Sequence, residues 1–352
     1  MKKIAKLICK IFLGKANKIS FNAANIKRIL IIRNDKIGDM IVTTPLFREL
    51  KKTYPDLVID VVASSVNKDI VKHNPHIGEV IVWDKKGIAN DIETICKIRA
   101  KRYDVIFNAM NIFSLAYLLR IKLLGAKYLI GFNIEKYQTN TKHLGMFDYT
   151  VDCVRSRHIL ENYFSAFENF GLKQINYNYE LFGVEAHAMK THSFLARIGY
   201  GYKGVVCFNY QGSCSERTIN KDDAIRFCAE LSEKYRDSAV VVIYPPHGRE
   251  LARLIVNEVS RENVFLSFET ENIFELASLI RECDVVISPD TAVIHLASVY
   301  NKKILGFYIN TDNYKWFYPM SEKYRVLLSD KEAITALDTP AAFRALDELM
   351  LA

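Results

Sequence analysis

Several motifs that mark common enzyme classes are missing from this 352-residue sequence. No glycine-rich dinucleotide fingerprint accompanies the first predicted strand, which argues against a nicotinamide-dependent enzyme such as a sugar-nucleotide epimerase. Walker, H-E-x-x-H and G-x-S-x-G motifs are also absent, so the sequence gives no sign of a P-loop nucleotidase, a zincin or a serine hydrolase. It has no short-period repeat and no low-complexity segment either.

The cysteines lack any metal-binding or disulfide pattern, because they are scattered and none forms a C-x-x-C pair. An odd and unpatterned set predicts reduced, buried thiols in the cytoplasm. The seven cysteines are Cys9, Cys96, Cys153, Cys207, Cys214, Cys228 and Cys283.

The N-terminal segment has positive charge but neither a signal-peptide core nor a membrane span. Lysines interrupt its apolar run, no small-residue cleavage site follows, and the run is too short to cross a bilayer. Residues 1–20 instead predict a basic amphipathic helix, whose apolar face consists of Ile4, Leu7, Ile8, Ile11 and Phe12. Such a helix either lies in an anionic membrane interface or packs on the protein's own surface.

The net charge of the chain is +8, which favours an anionic partner. No basic and aromatic motif of a known nucleic-acid-binding module is present. We therefore expect a phosphate-rich substrate or a membrane surface, and no nucleic acid.

Half of the residues are hydrophobic, and the length suits two domains, for which we predict the boundaries 21–180 and 181–352. Short apolar strands alternate with helical patterns in both halves, which predicts an α/β fold with two doubly wound parallel sheets and a cleft between them. The predicted strands are 29–32, 58–63, 80–83, 104–108, 128–132, 205–209, 239–244, 264–266, 285–288 and 304–308. The predicted helices are 66–73, 90–101, 113–123, 158–170, 221–235, 248–259, 272–282, 291–300 and 331–350.

The first half is organised around the stretch RNDKIGDMIVTTP, residues 33–45, which follows an apolar run. We predict a strand, a glycine turn and a helix that opens at Thr44, with Pro45 at the first helical position. Gly38 would permit close backbone approach or a positive φ and would present Asp39 at the carboxyl end of the strand. Ligands bind at that edge of an open α/β sheet, so Asp39 either acts on a ligand or merely caps the helix.

The second half contains a matching stretch, CDVVISPDTAVIHLA, residues 283–297, in which a strand runs into a helix. Asp290 and Thr291 stand at the turn, and a helix N-terminus attracts phosphate or sugar hydroxyls. His295 lies one turn into the helix, where a ligand contact and a purely structural role are both open. Upstream, Gly212 and Ser213 would let backbone amides approach a pyrophosphate.

Arg217 lies in the same polar loop, residues 209–218, and its guanidinium would pair with a phosphate through two hydrogen bonds. A small polar loop with an arginine is common, so this feature is weak by itself. With the strand-end motifs, it predicts a carboxylate base on one side of the site and a cation with a helix terminus on the other.

Four short segments give the chain a resemblance to a known family: IGDM at 37–40, TTP at 43–45, SPDT at 288–291 and HLA at 295–297. In this order they resemble the bacterial ADP-heptose:lipopolysaccharide heptosyltransferases of glycosyltransferase family 9, over residues 27–320. The resemblance implies the GT-B fold, in which two Rossmann-like domains face each other across a cleft. It also implies inverting transfer of heptose from ADP-heptose to the lipopolysaccharide core, without an essential metal or a cofactor.

Carried over by position, Asp39 matches the catalytic carboxylate of the family, and Arg217 stands where some members have a lysine that contacts the donor phosphates. The residues matching donor-binding positions are Gly212, Ser213, Asp290, Thr291 and His295. The resemblance makes 21–180 the acceptor domain and 181–352 the donor domain. Ala292 departs from the glycine that many members have, which puts the donor sugar in question more than the reaction.

These observations give the hypothesis that Asp39 deprotonates an acceptor hydroxyl, with Asp35 as its rival, while Arg217 stabilises the departing diphosphate. The acceptor would be the anionic lipopolysaccharide core on lipid A, reached from the cytoplasm at the inner face of the membrane. Two alternatives stay open: transfer of another activated sugar, a hexose or an N-acetylhexosamine, and a non-catalytic sugar-nucleotide-binding protein of the same fold.

Overall fold

The structure is a computed structural model that describes residues 23–84, 87–110, 114–133, 147–154, 156–199, 201–310, 312–330, 333–334 and 337–351. The predicted N-terminal helix at 1–20 lies outside the described residues. Among the helices that are described, none has both the length and the apolar character that a bilayer span requires. The chain divides into two compact units, Met1–Tyr177 and Asn178–Ala352.

The first unit contains one six-stranded sheet in which the pairings are parallel. Its strands are β1 Arg28–Ile32, β2 Val58–Ala63, β3 Val80–Val82, β4 Val105–Asn108, β5 Tyr128–Asn133 and β6 Tyr149–Asp152. The described helices of this unit are α1 Ile37–Thr53, α2 Lys68–Lys72, α3 Ile88–Ala100, α4 Leu115–Leu123 and α5 Ile159–Ala166. The strand order is β3-β2-β1-β4-β5-β6, that of dinucleotide-binding domains, and the winding direction reverses between β1 and β4.

The apolar runs of the central strands are explained by burial on both faces of the sheet. Ile29 to Ile32 of β1 are fully buried, and Ile32 pairs with Asn108 at the end of β4. One side of the sheet packs on α3 and α4 through Ile98 and Leu118. A strand covered on both faces has no polar alternation, which is why it reads as a continuous apolar run.

Helix α1 begins at Ile37, so the predicted start at Thr44 was wrong, and Gly38 is helical without a positive φ. Pro45 therefore lies inside the helix, where it has no N–H to donate to the carbonyl of Ile41. The Thr44 hydroxyl donates to that carbonyl instead, at 2.7 Å. The helix thus continues through a residue that normally marks a helix start.

The second unit also contains one parallel six-stranded sheet. Its strands are β7 Gly204–Asn209, β8 Ser238–Ile243, β9 Val264–Leu266, β10 Val285–Pro289, β11 Lys303–Ile309 and β12 Tyr324–Ser329. Its described helices are α6 Met189–Ile198, α7 Lys221–Lys234, α8 Arg249–Val259, α9 Ile273–Glu282, α10 Ala292–Val299, α11 Asp312–Phe317 and α12 Thr339–Leu351. The order β12-β11-β10-β7-β8-β9 repeats that of the first unit, with the reversal between β7 and β10.

The predicted α/β fold with two doubly wound parallel sheets is confirmed, and the elements that the sequence missed lie mostly at sheet edges. β6 and β12 each occupy an edge and are only partly buried. β6 lacks the apolar run of a central strand, and in β12 the run is only Val326 to Leu328. Helices α6 and α11 were not predicted either. The prediction that the cysteines are buried was wrong for Cys96 and Cys214, which are exposed. Pro340 stands in the first turn of α12 and does not break it, because the first turn needs no donor from that position.

Candidate active site

In the first unit a buried arginine lies at the reversal point, between β1 and β4, where the winding direction of the sheet changes. Arg33 follows β1 directly, and its side chain has no exposed surface. One terminal nitrogen of the guanidinium donates to the carbonyl of Ala109, just after β4. The Arg33 carbonyl accepts from Asn67 Nδ2 at 2.8 Å, which holds the chain as it leaves the strand.

The same guanidinium holds two carboxylates. Its second terminal nitrogen donates to Asp39, and its Nε lies 3.2 Å from Asp35 Oδ1. The guanidinium carbon stands 5.5 Å from the centre of the Tyr163 ring, on α5. The Asp39 and Asp35 side chains keep 17% and 22% of their surface exposed, so both carboxylates reach solvent while their shared cation does not.

Burial and charge work against each other in this cluster. Burial lowers the pKa of the Arg33 guanidinium, but Asp35, Tyr163 and Asp39 outweigh it and raise that pKa above its ordinary value. Burial raises the pKa of Asp35 to about 6, with Arg33 opposing the rise and Asp39 adding to it. Asp35 therefore takes up and releases its proton near pH 6.

Asp39 occupies the first turn of α1 and not a loop. The early helix start brings it back onto Arg33 at the carboxyl end of β1, the edge at which it was predicted to lie. Sequence reasoning did not include Arg33 or Tyr163 in the site. A charged residue directly after a run of four buried strand residues is the signal that points to Arg33.

In the second unit, side-chain hydrogen bonds connect the ends of β7 and β10 at the reversal point. Asn209 Nδ2, at the end of β7, donates to Ser288 Oγ at 2.9 Å and lies 3.4 Å from Thr291 Oγ1. Thr291 caps α10 by accepting from the Val293 amide at 3.2 Å. The predicted strand-to-helix turn is therefore present, with a polar residue from each central strand beside it.

Arg217 and Asp290 meet in this unit as an ion pair of 2.6 Å, with 23% and 13% of their side chains exposed. Gly212 packs on the backbone of Arg217, where an added Cβ would lie 2.3 Å from its carbonyl oxygen. The Gly212 amide is already engaged, since it donates a hydrogen bond to Thr218 Oγ1 at 3.1 Å. Ser213 is exposed beside it. The loop thus brings Arg217 to the strand-helix turn, while one of the two amides predicted to face phosphate is engaged.

His295 is almost completely buried, between the rings of Tyr179 at 6.0 Å and Phe317 at 6.1 Å. This environment favours the packing role over direct ligand contact, and the predicted donor contact stays a prediction.

Residues 199–204 match the pattern G-x-G-x-x-G, but Gly199 follows the end of α6 and Gly204 begins β7. A strand does not precede them, so they do not form a phosphate-binding turn.

The described residues contain no group of three or more His, Cys, Asp or Glu side chains that is arranged to hold a metal ion. Each of the two reversal points has an arginine beside it. In the first unit the arginine serves two carboxylates, and in the second it is paired with one carboxylate beside a capped helix end. The first arrangement suits proton abstraction, and the second suits an anion.

Comparison with known proteins gives a consistent result. The family model described as glycosyltransferase family 9 (heptosyltransferase) matches residues 93–345. Lipopolysaccharide heptosyltransferase 3 of Escherichia coli is 27% identical over 291 residues, which cover 79% of this chain and 82% of that protein.

Two solved structures share the fold. The ADP-heptose lipopolysaccharide heptosyltransferase II of E. coli superposes with a TM-score of 0.71 at 18% identity, covering 92% of this chain and 98% of that one. The E. coli heptosyltransferase WaaC with ADP-2-deoxy-2-fluoro heptose gives a TM-score of 0.68 at 16% identity, covering 91% and 99%. The predicted GT-B fold is therefore confirmed.

Proposed function

The chain belongs to glycosyltransferase family 9, the heptosyltransferases, and from this we propose that it transfers heptose from ADP-heptose to the lipopolysaccharide core with inversion at the anomeric carbon. The observation that carries the proposal is the carboxylate of Asp39, held by a fully buried guanidinium at the reversal point of the first sheet. The family and the related proteins support heptose transfer, and the site supports the chemistry.

In the proposed reaction Asp39 takes the proton from an acceptor hydroxyl while the oxygen of that hydroxyl attacks the anomeric carbon. The bond from that carbon to the diphosphate breaks at the opposite face, and ADP leaves with the electron pair. General-base catalysis of this kind contributes about 10²–10⁴-fold.

On the donor side we assign Arg217 and the N-terminus of α10 to the diphosphate. Negative charge on the leaving group grows toward the transition state, so a cation placed there accelerates the reaction more than it strengthens donor binding. Asp290 pairs with Arg217, and the donor diphosphate would compete for that guanidinium. Gly212, Ser213, Thr291 and His295 complete the proposed donor site, His295 through packing.

The acceptor is proposed to be anionic lipopolysaccharide core on lipid A, and the enzyme to work at the inner face of the cytoplasmic membrane. The net charge of +8 supports an anionic acceptor. The chemistry assigned to these residues requires neither a metal nor a cofactor.

The experiment that tests the function offers the protein a panel of donors with truncated lipopolysaccharides and reads the products by mass spectrometry. We expect a mass increase of one heptose with ADP-heptose and none with activated hexoses or N-acetylhexosamines. A hexose product would replace the proposed donor. Absence of any product, with ADP-heptose still bound in calorimetry, would point to the non-catalytic alternative.

A further inference from the structure

Arg33 has more contacts than the proposed reaction uses. Its guanidinium donates to Ala109 and Asp39, lies beside Asp35 and packs on the ring of Tyr163, all without solvent exposure. An arginine with this many fixed contacts is not free to reach a substrate. Its effect on the reaction must therefore pass through the groups that it holds.

The two carboxylates around Arg33 would repel each other without it. Asp35 and Asp39 are four residues apart in sequence and share this one cation, so removing it leaves two like charges in a half-buried place. The other ionisable groups that interact with this cluster are Tyr163 on α5, Tyr117 on α4 and Cys153 after β6. Burial raises the pKa of both tyrosines, so neither supplies charge near neutral pH.

We propose that Arg33 is a positioning residue for the transfer reaction, which holds the carboxylates of Asp35 and Asp39 in place against their mutual repulsion and fixes the orientation of Asp39. The proposal rests on the proposed role of Asp39 as general base. Without the cation the two carboxylates repel each other, so the pair holds one proton to higher pH. The arginine therefore extends the activity of the site to lower pH. A role limited to stability would not affect the pH dependence.

A matched control lies at the other end of the same strand. Arg28, the first residue of β1, lies 3.3 Å from buried Asp60 and 5.8 Å from the ring of Tyr103. Asp60 also accepts from Lys101 at 3.1 Å and from the Tyr103 hydroxyl at 2.6 Å. This cluster repeats the arginine, carboxylate and tyrosine set at the amino end of the strand, away from the ligand-binding edge.

The experiment measures kcat/KM for a deacylated inner-core lipopolysaccharide against pH, with ADP-heptose as donor, in Arg33→Met and Arg28→Met. For Arg33→Met we expect kcat/KM to fall about 10²-fold. The acid limb of its pH profile should move up by at least about one pH unit, since the carboxylate pair then holds a proton more tightly. Arg28→Met is expected to lower the melting temperature and leave the acid limb in place. Adding Asp35→Asn to Arg33→Met removes the repulsion and should move the limb back.

An acid limb in Arg33→Met that coincides with the wild-type limb would overturn the proposal. If that variant does not fold, Arg33→Lys decides, because one ammonium cannot reach Ala109, Asp39 and Asp35 together. We expect the acid limb of the Arg33→Lys pH profile to move in the same direction by a smaller amount. An acid limb that stays at the wild-type position contradicts the positioning role. Full activity in Asp39→Asn would instead remove the proposed base, a separate outcome from either arginine result.

Discussion

The two units share one strand order but differ in the chemistry at their reversal points. In the first, a buried arginine faces inward and is surrounded by Asp35, Asp39 and Tyr163, so the exposed surface is that of carboxylates. In the second, Arg217 is itself partly exposed and pairs with Asp290 beside a helix capped by Thr291. Burying the cation leaves a site with surplus negative charge, whereas exposing it leaves a site for an anion.

The helices after the central strands differ in the same way. At α10 the Thr291 side chain occupies the N-cap position and bonds to a backbone amide. At α1 the N-cap residue is Lys36, whose side chain makes no capping bond, and Asp39 fills the first turn. A carboxylate in the first turn of a helix is favoured by the helix dipole, which adds to the effect of Arg33. Identical topology therefore supports the proposed base in one unit and the proposed leaving-group site in the other.

The largest effect is expected from Asp39→Asn, which keeps the shape of the side chain and removes the base. Turnover should fall by at least about 10²-fold, with ADP affinity nearly unchanged because the base acts on the acceptor. Initial rates and calorimetric titration with ADP measure the two quantities. Asp35→Asn is the matched variant, and loss of turnover there with normal turnover in Asp39→Asn would transfer the base to Asp35.

A smaller and different effect is expected from Arg217→Ala. Losing charged hydrogen bonds to the diphosphate should weaken ADP binding about 10–100-fold and lower turnover as well. Calorimetry with ADP and steady-state rates with ADP-heptose measure both. The control is Arg249→Ala. It removes an exposed arginine of the same unit, at the start of α8, which pairs with Glu269. Equal ADP affinity in the two variants would contradict the donor-side assignment.

The titration of Asp35 predicts a pH effect on stability. Its folded pKa of about 6 exceeds the ordinary value of 3.8, so the folded state binds the extra proton and loses stability as pH rises through this window. Asp35→Asn should therefore be more stable than the parent at pH 7, by at most about 3 kcal/mol, and should gain nothing below pH 4. Thermal melts across pH 4–8 test this. Asp237→Asn, at an exposed carboxylate, should show no such gain, and a constant difference for Asp35→Asn would contradict the prediction.

The smallest effect concerns the proline inside α1. Thr44→Val removes the hydroxyl that satisfies the Ile41 carbonyl and should cost about 1–3 kcal/mol in the free energy of unfolding. In the Pro45→Ala background the cost should shrink, because the alanine amide donates to the same carbonyl. Thr43→Val is the control, since the Asp39 carbonyl that this hydroxyl contacts also has a helical amide partner. Denaturant unfolding that gives Thr44→Val the same cost in both backgrounds would refute this account.

Much of the fold follows from local sequence patterns. Apolar runs such as Ile29 to Ile32 and Val285 to Ser288 mark central strands because both faces of a doubly wound sheet are covered, and these strands lie where they were predicted. The motifs around Asp39 and Asp290 were expected at strand ends, and they lie there. Edge strands β6 and β12 were missed, since β6 carries no continuous apolar run and β12 has only a short one between partly exposed polar residues.

What the sequence by itself determined is therefore the class of fold, its central strands and the two motifs that carry polar groups to their carboxyl ends. Only the tertiary structure decided that α1 starts at Ile37, that Arg33 is buried between two carboxylates, and that Arg217 meets Asp290. The physical reason is that a strand's apolar run is read from adjacent residues. The partner of a buried charge is set instead by the sheet, which brings Ala109 and Tyr163 to Arg33 from distant parts of the chain.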